Sequence, residues 1–175
     1  MKKILVVVDM QNDFIDGSLG TKEAQGIVEN VVKKIKSYEG QKVFATRDTH
    51  GGNYSETLEG KHLPVPHCIK GTKGWEIKEE IAKVLQQVNA EVIDKPVFGS
   101  ELLAERISEL EREDELEVEL IGLCTDICVV SNALLLKAKI PETVIKVDAK
   151  CCAGVTLKSH EAALLTMKMC QIEVQ

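Results

Sequence analysis

Five short runs of β-branched and aliphatic residues recur along the chain, each followed by a segment of helical periodicity. The runs are Ile4 to Val8, Lys42 to Ala45, Glu91 to Ile93, Val118 to Ile121 and Val144 to Val147, and Gln171 to Val174 is a candidate sixth. They are near-continuously apolar rather than alternating, as parallel strands covered on both faces are. Helical patterns lie between and after them, at Ala24 to Lys36, Trp75 to Val88, Glu101 to Glu113, Asp126 to Lys139 and Leu157 to Met169. Strand followed by helix, repeated with ordinary connections, predicts α/β architecture. The expected form is one domain over residues 1–175, a three-layer α/β/α sandwich around a parallel sheet.

With 175 residues and 44% hydrophobic content, the chain can bury a core without covalent staples. It carries 22 basic against 28 acidic side chains, a net charge of -6, and no lysine or arginine stripe. That balance argues against gripping nucleic acid phosphates, and aromatic residues at 3% are too few for a base-stacking platform. No apolar run is long enough to span a bilayer. Met1-Lys2-Lys3 followed by Ile4 to Val8 begins like a leader, but Asp9 ends the apolar stretch too early. The expected partner is therefore a small molecule, with neither nucleic acid nor membrane, and the expected location is cytoplasmic. No heptad or apolar patch announces an interface, which leaves a homo-oligomer open. The six cysteines, at Cys68, Cys124, Cys128, Cys151, Cys152 and Cys170, form no CxxC pair and lack the density of a disulfide scaffold. Cys151 and Cys152 are read as structural.

In a parallel sheet, residues just past the carboxyl ends of the strands share one rim, where open α/β folds bind ligands. Asp9 follows the first run, Arg47, Asp48 and His50 the second, Lys95 the third, and Cys124 to Cys128 the fourth. Thr125 or Asp126 can cap the next helix, placing Cys128 in its first turn, where the helix dipole favours a thiolate. A packed core cysteine is the competing reading of Cys128. The partners at the same rim favour a nucleophile: Asp9 can accept the thiol proton and return it to a leaving amine, and Lys95 can hold Asp9 ionised. Backbone N–H groups of Cys124 and Cys128 can form an oxyanion hole. The set suits acyl transfer at an amide carbon.

The stretch from Thr49 to Lys73 is long, rich in glycine and proline, and has no period; such segments are often binding loops. It holds three of the four histidines, His50, His62 and His67. Asp48, His50 and His67 make a plausible set for zinc, iron or manganese, with Glu59 or His62 as a further ligand. A polar loop binding nothing is the alternative.

These residues together make the chain resemble the isochorismatase-like cysteine hydrolases, and within them the nicotinamidases. The carrying segments are Val-Asp9-Met-Gln-Asn-Asp-Phe14, Thr-Arg-Asp48-Thr-His50, Pro66-His67-Cys-Ile-Lys-Gly-Thr, Asp94-Lys95-Pro and Gly122-Leu-Cys-Thr-Asp-Ile-Cys128-Val. The resemblance implies a six-stranded sheet in the order 3-2-1-4-5-6, with Asp9 and Cys128 facing across the switch point. It implies a triad of Asp9, Lys95 and Cys128, a cis peptide between Leu123 and Cys124, and Phe14 packing against the substrate ring. It further implies one divalent transition metal ion on Asp48, His50, Glu59 and His67, and hydrolysis of nicotinamide to nicotinate and ammonia through a thioester, a reaction of NAD salvage. The chain departs from the pattern in two places. Ile127 stands where the family often has a histidine, and some relatives use a third histidine where Glu59 lies. Two rivals stand beside this expectation: a metal-free hydrolase of carbamoyl or ureido amides, and a non-catalytic binding protein with the same fold.

Overall fold

The computed structural model describes residues 1–175. Strand β1 (Lys2–Val8) is followed by the short helix α1 (Asn12–Ile15), helix α2 (Lys22–Ser37) and strand β2 (Lys42–Asp48). A 3₁₀ turn (Tyr54–Glu56) and helix α3 (Leu58–His62) precede α4 (Glu79–Gln87), β3 (Glu91–Lys95), α5 (Glu101–Glu111) and β4 (Leu116–Leu123). A π-helical turn (Thr125–Val129) then leads into α6 (Val130–Lys139), β5 (Val144–Ala153), α7 (Leu157–Met169) and β6 (Glu173–Val174). The six strands form one sheet in the order β3-β2-β1-β4-β5-β6, and every neighbouring pair is parallel.

The layers follow from which face each strand residue presents. Ile4, Val6 and Val8 of β1 face α5, α6 and α7 through Leu103, Ile107, Ala133, Leu136 and Met167. Leu5 and Val7 face the opposite layer, where α2 contributes Ala24, Ile27, Val31 and Ile35 and α4 contributes Ile81, Val84 and Leu85. The α2 positions are spaced by three and four, so they line one helical stripe. Its start is capped by Thr21, whose Oγ1 accepts from the Ala24 N–H at 3.0 Å. Central strands clad on both sides account for the unbroken apolar runs.

Two predicted helices begin later than their sequence patterns suggest. The Trp75–Val88 pattern becomes helical only at Glu79, because Ile77 is drawn into an antiparallel bridge with Gln11. The Asp126–Lys139 pattern opens with the π-helical turn before α6. Cys151 and Cys152 lie within β5, both buried, one packed into each layer, which accounts for both as structural residues.

Chain order reverses between β1 and β4, whose registered partners end at Val8 and Gly122. Gly122 has φ +119, and a Cβ there would stand 2.1 Å from the Val8 carbonyl oxygen. Only glycine permits both the dihedral and the approach. Gly122→Ala is expected to destabilise the fold by about 3 kcal/mol, read as a lowered urea midpoint at unchanged slope. A change under about 0.5 kcal/mol, the range of neutral surface substitutions, would show that the strand exits tolerate a side chain.

Candidate active site

Asp9, directly after β1, sits in the left-handed region at φ 47. That conformation is sparsely populated for a non-glycine residue and is frequent at functional sites. Its N–H donates to the Thr46 carbonyl at 3.2 Å, and Thr46 Oγ1 donates to Asp9 Oδ1 at 2.6 Å. Lys95 closes β3 and reaches across β2 toward β1. Its ammonium lies 2.6 Å from Asp9 Oδ2 and donates to the Val97 carbonyl at 3.1 Å and to Cys128 Sγ at 3.5 Å. An ammonium has three protons, so these contacts use its whole donor capacity. Asp9 and Lys95 are 0% and 1% exposed, and Cys128 is buried beside them.

Electrostatics here are governed by burial. Burial pushes the Asp9 carboxyl up, opposed by the Lys95 charge, while Asp48 adds to the rise. Lys95 is held above its ordinary value because the attraction of Asp9, Cys128 and Asp48 outweighs its desolvation. Burial also drives the Cys128 thiol well upward, reinforced by Asp9 and only partly countered by Lys95. The expectation of a helix-stabilised thiolate meets an opposing effect here: the sulfur sits in a buried π-helical turn, where desolvation and the Asp9 charge raise the thiol rather than lower it. A standing thiolate would place a second negative charge beside Asp9 in a low-dielectric site.

The peptide between Leu123 and Cys124 is cis. Cys124 begins the π-helical turn, with its carbonyl accepting from both Ile127 and Val129 N–H groups. Three side chains to which the sequence reading gives no separate role, Asn132, Gln11 and Asp13, hold the site in register. Asn132, one turn beyond Cys128, donates to the Cys128 carbonyl at 2.8 Å and to the Phe98 carbonyl at 3.1 Å, and accepts from the Ser100 N–H at 2.9 Å. It thereby ties the turn that carries Cys128 to the segment that follows Lys95. Gln11 donates to the carbonyls of Asp48 and Trp75 and accepts from the Asp48 N–H at 2.7 Å. Asp13 accepts from the Cys68 N–H at 2.8 Å, fastening the loop that carries His67. His160 meets Thr125 Oγ1 at 2.8 Å through Nδ1 and braces the same turn.

Asp48, His50, Glu59 and His67 form a second cluster, each offering one ligand atom within 4.8 Å of the others. His67 Nδ1 donates to the Val65 carbonyl at 2.9 Å, which leaves Nε2 to face Asp48 and Glu59. Tyr54 packs edge-on against both imidazoles, at centroid distances of 4.9 and 5.0 Å. Helix α3, capped by Thr57, brings Glu59 over them. Asp48 Oδ2 faces His50 Nε2 at 2.8 Å and His67 Nε2 at 3.5 Å, while its Oδ1 lies 3.8 Å from the Lys95 ammonium. Two carboxylates and two imidazoles converging on one point fit a divalent transition metal ion. His62, the alternative fourth ligand, stands outside this cluster, its Nδ1 donating to the Leu58 carbonyl at 2.9 Å.

Both groups open on one cavity of about 730 Å³, lined by Asp48, Glu59, His67, Cys124 and Cys128 together with a largely apolar wall. Phe14 lines it too, its ring tilted against His67 at 5.5 Å.

No helix is long and apolar enough to cross a membrane. The nicotinamidase/pyrazinamidase of Mycobacterium tuberculosis is 26% identical, the match covering 98% of this chain and 97% of that one. The crystal structure of the nicotinamidase/pyrazinamidase PncA from Bacillus subtilis superposes with a TM-score of 0.86 at 26% identity, covering 99% of both chains. A pyrazinamidase of Pyrococcus horikoshii, solved in complex with zinc, gives a TM-score of 0.79 at 26% identity over 100% of this chain and 99% of that one. The isochorismatase domain model matches residues 3–175. With the strand order, the cis peptide and a family match along nearly the whole chain, the protein belongs to the isochorismatase domain family.

Proposed function

We propose that this chain is a metal-assisted cysteine amidohydrolase that converts nicotinamide to nicotinate and ammonia. The observation that carries this reading is the meeting of Asp9, Lys95 and Cys128, with Cys128 lining the same cavity as Asp48, Glu59 and His67 of the four-donor cluster. Relatives named as nicotinamidases and pyrazinamidases support it.

The resting thiol transfers its proton to the Asp9 carboxylate, whose raised proton affinity suits it as a base. The sulfur then attacks the amide carbon, forming a C–S bond as the carbonyl electron pair moves onto oxygen. Backbone N–H groups of Cys124 and Cys128 receive that oxyanion. Asp9 returns the proton to the amide nitrogen, the C–N bond breaks, and ammonia leaves a thioester. Water, losing a proton to Asp9, attacks the thioester; the C–S bond breaks, Asp9 returns that proton to the sulfur, and the product acid gives its remaining proton to solvent as it leaves as the carboxylate. Lys95 keeps its proton throughout, stabilising the negative charge that passes between Asp9 and the sulfur. Phe14 packs on the substrate ring. Asp48, His50, Glu59 and His67 would hold a divalent transition metal ion, which would supply Lewis-acid chemistry toward the substrate ring.

Purified, reduced protein loaded with zinc, iron or manganese is expected to release ammonia from nicotinamide. Failure with all three metals would refute the substrate assignment. Independently of turnover, the protein is expected to bind about one transition metal ion by elemental analysis. His67→Ala should weaken that binding by about 100-fold, since losing one of four ligands opens the site to water. Unaltered metal content at limiting metal would remove His67 from the ligand set.

A further inference from the structure

The cavity is much larger than the proposed substrate. Nicotinamide is a six-membered ring with one carboxamide, and its reacting carbon must meet Cys128 Sγ. Beyond the sulfur and the four-donor cluster, the cavity continues to a mouth formed by Leu58, Leu63, Val97, Phe98 and Val155. Of its 18 lining residues 12 are hydrophobic, and none is lysine or arginine. Leu58 and Val97 are 73% and 58% exposed, so large apolar side chains are held at the water boundary without covering one another. An apolar surface continuous with a reactive centre is a place to bury part of a ligand. With no lysine or arginine in the lining, a phosphate or carboxylate group there would meet no fixed counter-charge, which favours an uncharged occupant.

We propose that this mouth is a subsite for an uncharged alkyl substituent, so that the substrate class extends to ring-alkylated heteroaromatic carboxamides. The inference rests on the amidohydrolase reading above and deepens it. The bond changes are those of the unsubstituted amide, and the alkyl group is a spectator that contributes binding.

The test compares kcat/KM for nicotinamide with that for nicotinamides bearing methyl, propyl and pentyl groups at each free ring carbon in turn. At one position or more, kcat/KM relative to the parent should rise roughly twofold to fourfold per added methylene. An analogue ending in a carboxylate should lose that gain. Leu58→Glu and Val155→Glu should each return the propyl-to-methyl ratio toward one. Turnover of the parent with a flat or falling series at every position overturns the subsite while leaving the amidase intact. If nicotinamide and all its analogues are inert, the amidase reading fails. The subsite is then decided by calorimetric binding of the same series to Cys128→Ala: tightening with chain length supports it, and no tightening overturns it. Were the mouth covered by a second copy of the chain, light scattering would show a dimer dispersed by Leu58→Glu, and a flat alkyl series in that case overturns the proposal.

Discussion

Replacing Cys128 with alanine is expected to lower kcat for amide hydrolysis by about 10⁴-fold or more, the scale seen when a covalent nucleophile is deleted. The thermal midpoint should move by only a few degrees. The substitution removes one sulfur atom from a buried turn and leaves the Cys128 carbonyl bonded to Asn132 and the Asp9–Lys95 pair in place. Ammonia release measured against a melting curve separates chemistry from folding. Near-native turnover by the alanine variant would eliminate the covalent route whatever the substrate. The prediction is sharp because Cys128 is the cysteine whose sulfur meets the Lys95 ammonium, at 3.5 Å.

Lys95→Met should both inactivate and destabilise. The ammonium is the only counter-charge within 2.6 Å of Asp9, and both groups are sealed from water. Removing one partner of a buried pair strands the other, at about 3–5 kcal/mol. Asp9 then folds only in its protonated form, so the loss of stability should shrink as pH falls toward the range where the unfolded carboxyl also protonates. The sign follows from the pKa: a carboxyl raised in the folded state binds more protons there than when unfolded, so low pH favours folding. The double variant Asp9→Asn/Lys95→Met removes both charges and should recover most of the lost stability without recovering activity. Urea unfolding of the two single variants and the double gives the coupling energy. If the three effects were simply additive, Asp9 and Lys95 would be independent groups, and the pairing on which the proton relay depends would not operate.

Much of this protein was legible before any coordinates. The strand runs fell where β1 to β6 lie, the resemblance carried the order of the sheet, and the strand-end rule brought Asp9, Asp48, Lys95 and Cys128 to one rim. Those inferences rest on periodicities of two and 3.6 residues, which are local properties of the backbone. The start of α4 was misplaced because Ile77 pairs with Gln11, a contact between residues far apart in the chain. The clamps were invisible for the same reason. Gln11, Asp13 and Asn132 resemble ordinary turn or helix-surface polar residues until the folded chain shows the backbone groups they satisfy. Glu59 and His62 could not be ranked from spacing, since a five-residue helix turns one toward the imidazoles and leaves the other bonded to Leu58.

The amino-acid string alone determined the alternation of strands and helices, the absence of a basic surface and the set of side chains available for chemistry at the rim. Only the folded chain decided the direction in which the sulfur's proton affinity moves, because that depends on how completely water is excluded and on which charges share the space. It also decided the size and apolarity of the cavity, which arise where the loop after β2, the segment after β3 and the π-helical turn after β4 converge. Proton affinities and cavity shapes are sums over neighbours in three dimensions, and residue order constrains those neighbours only through the fold.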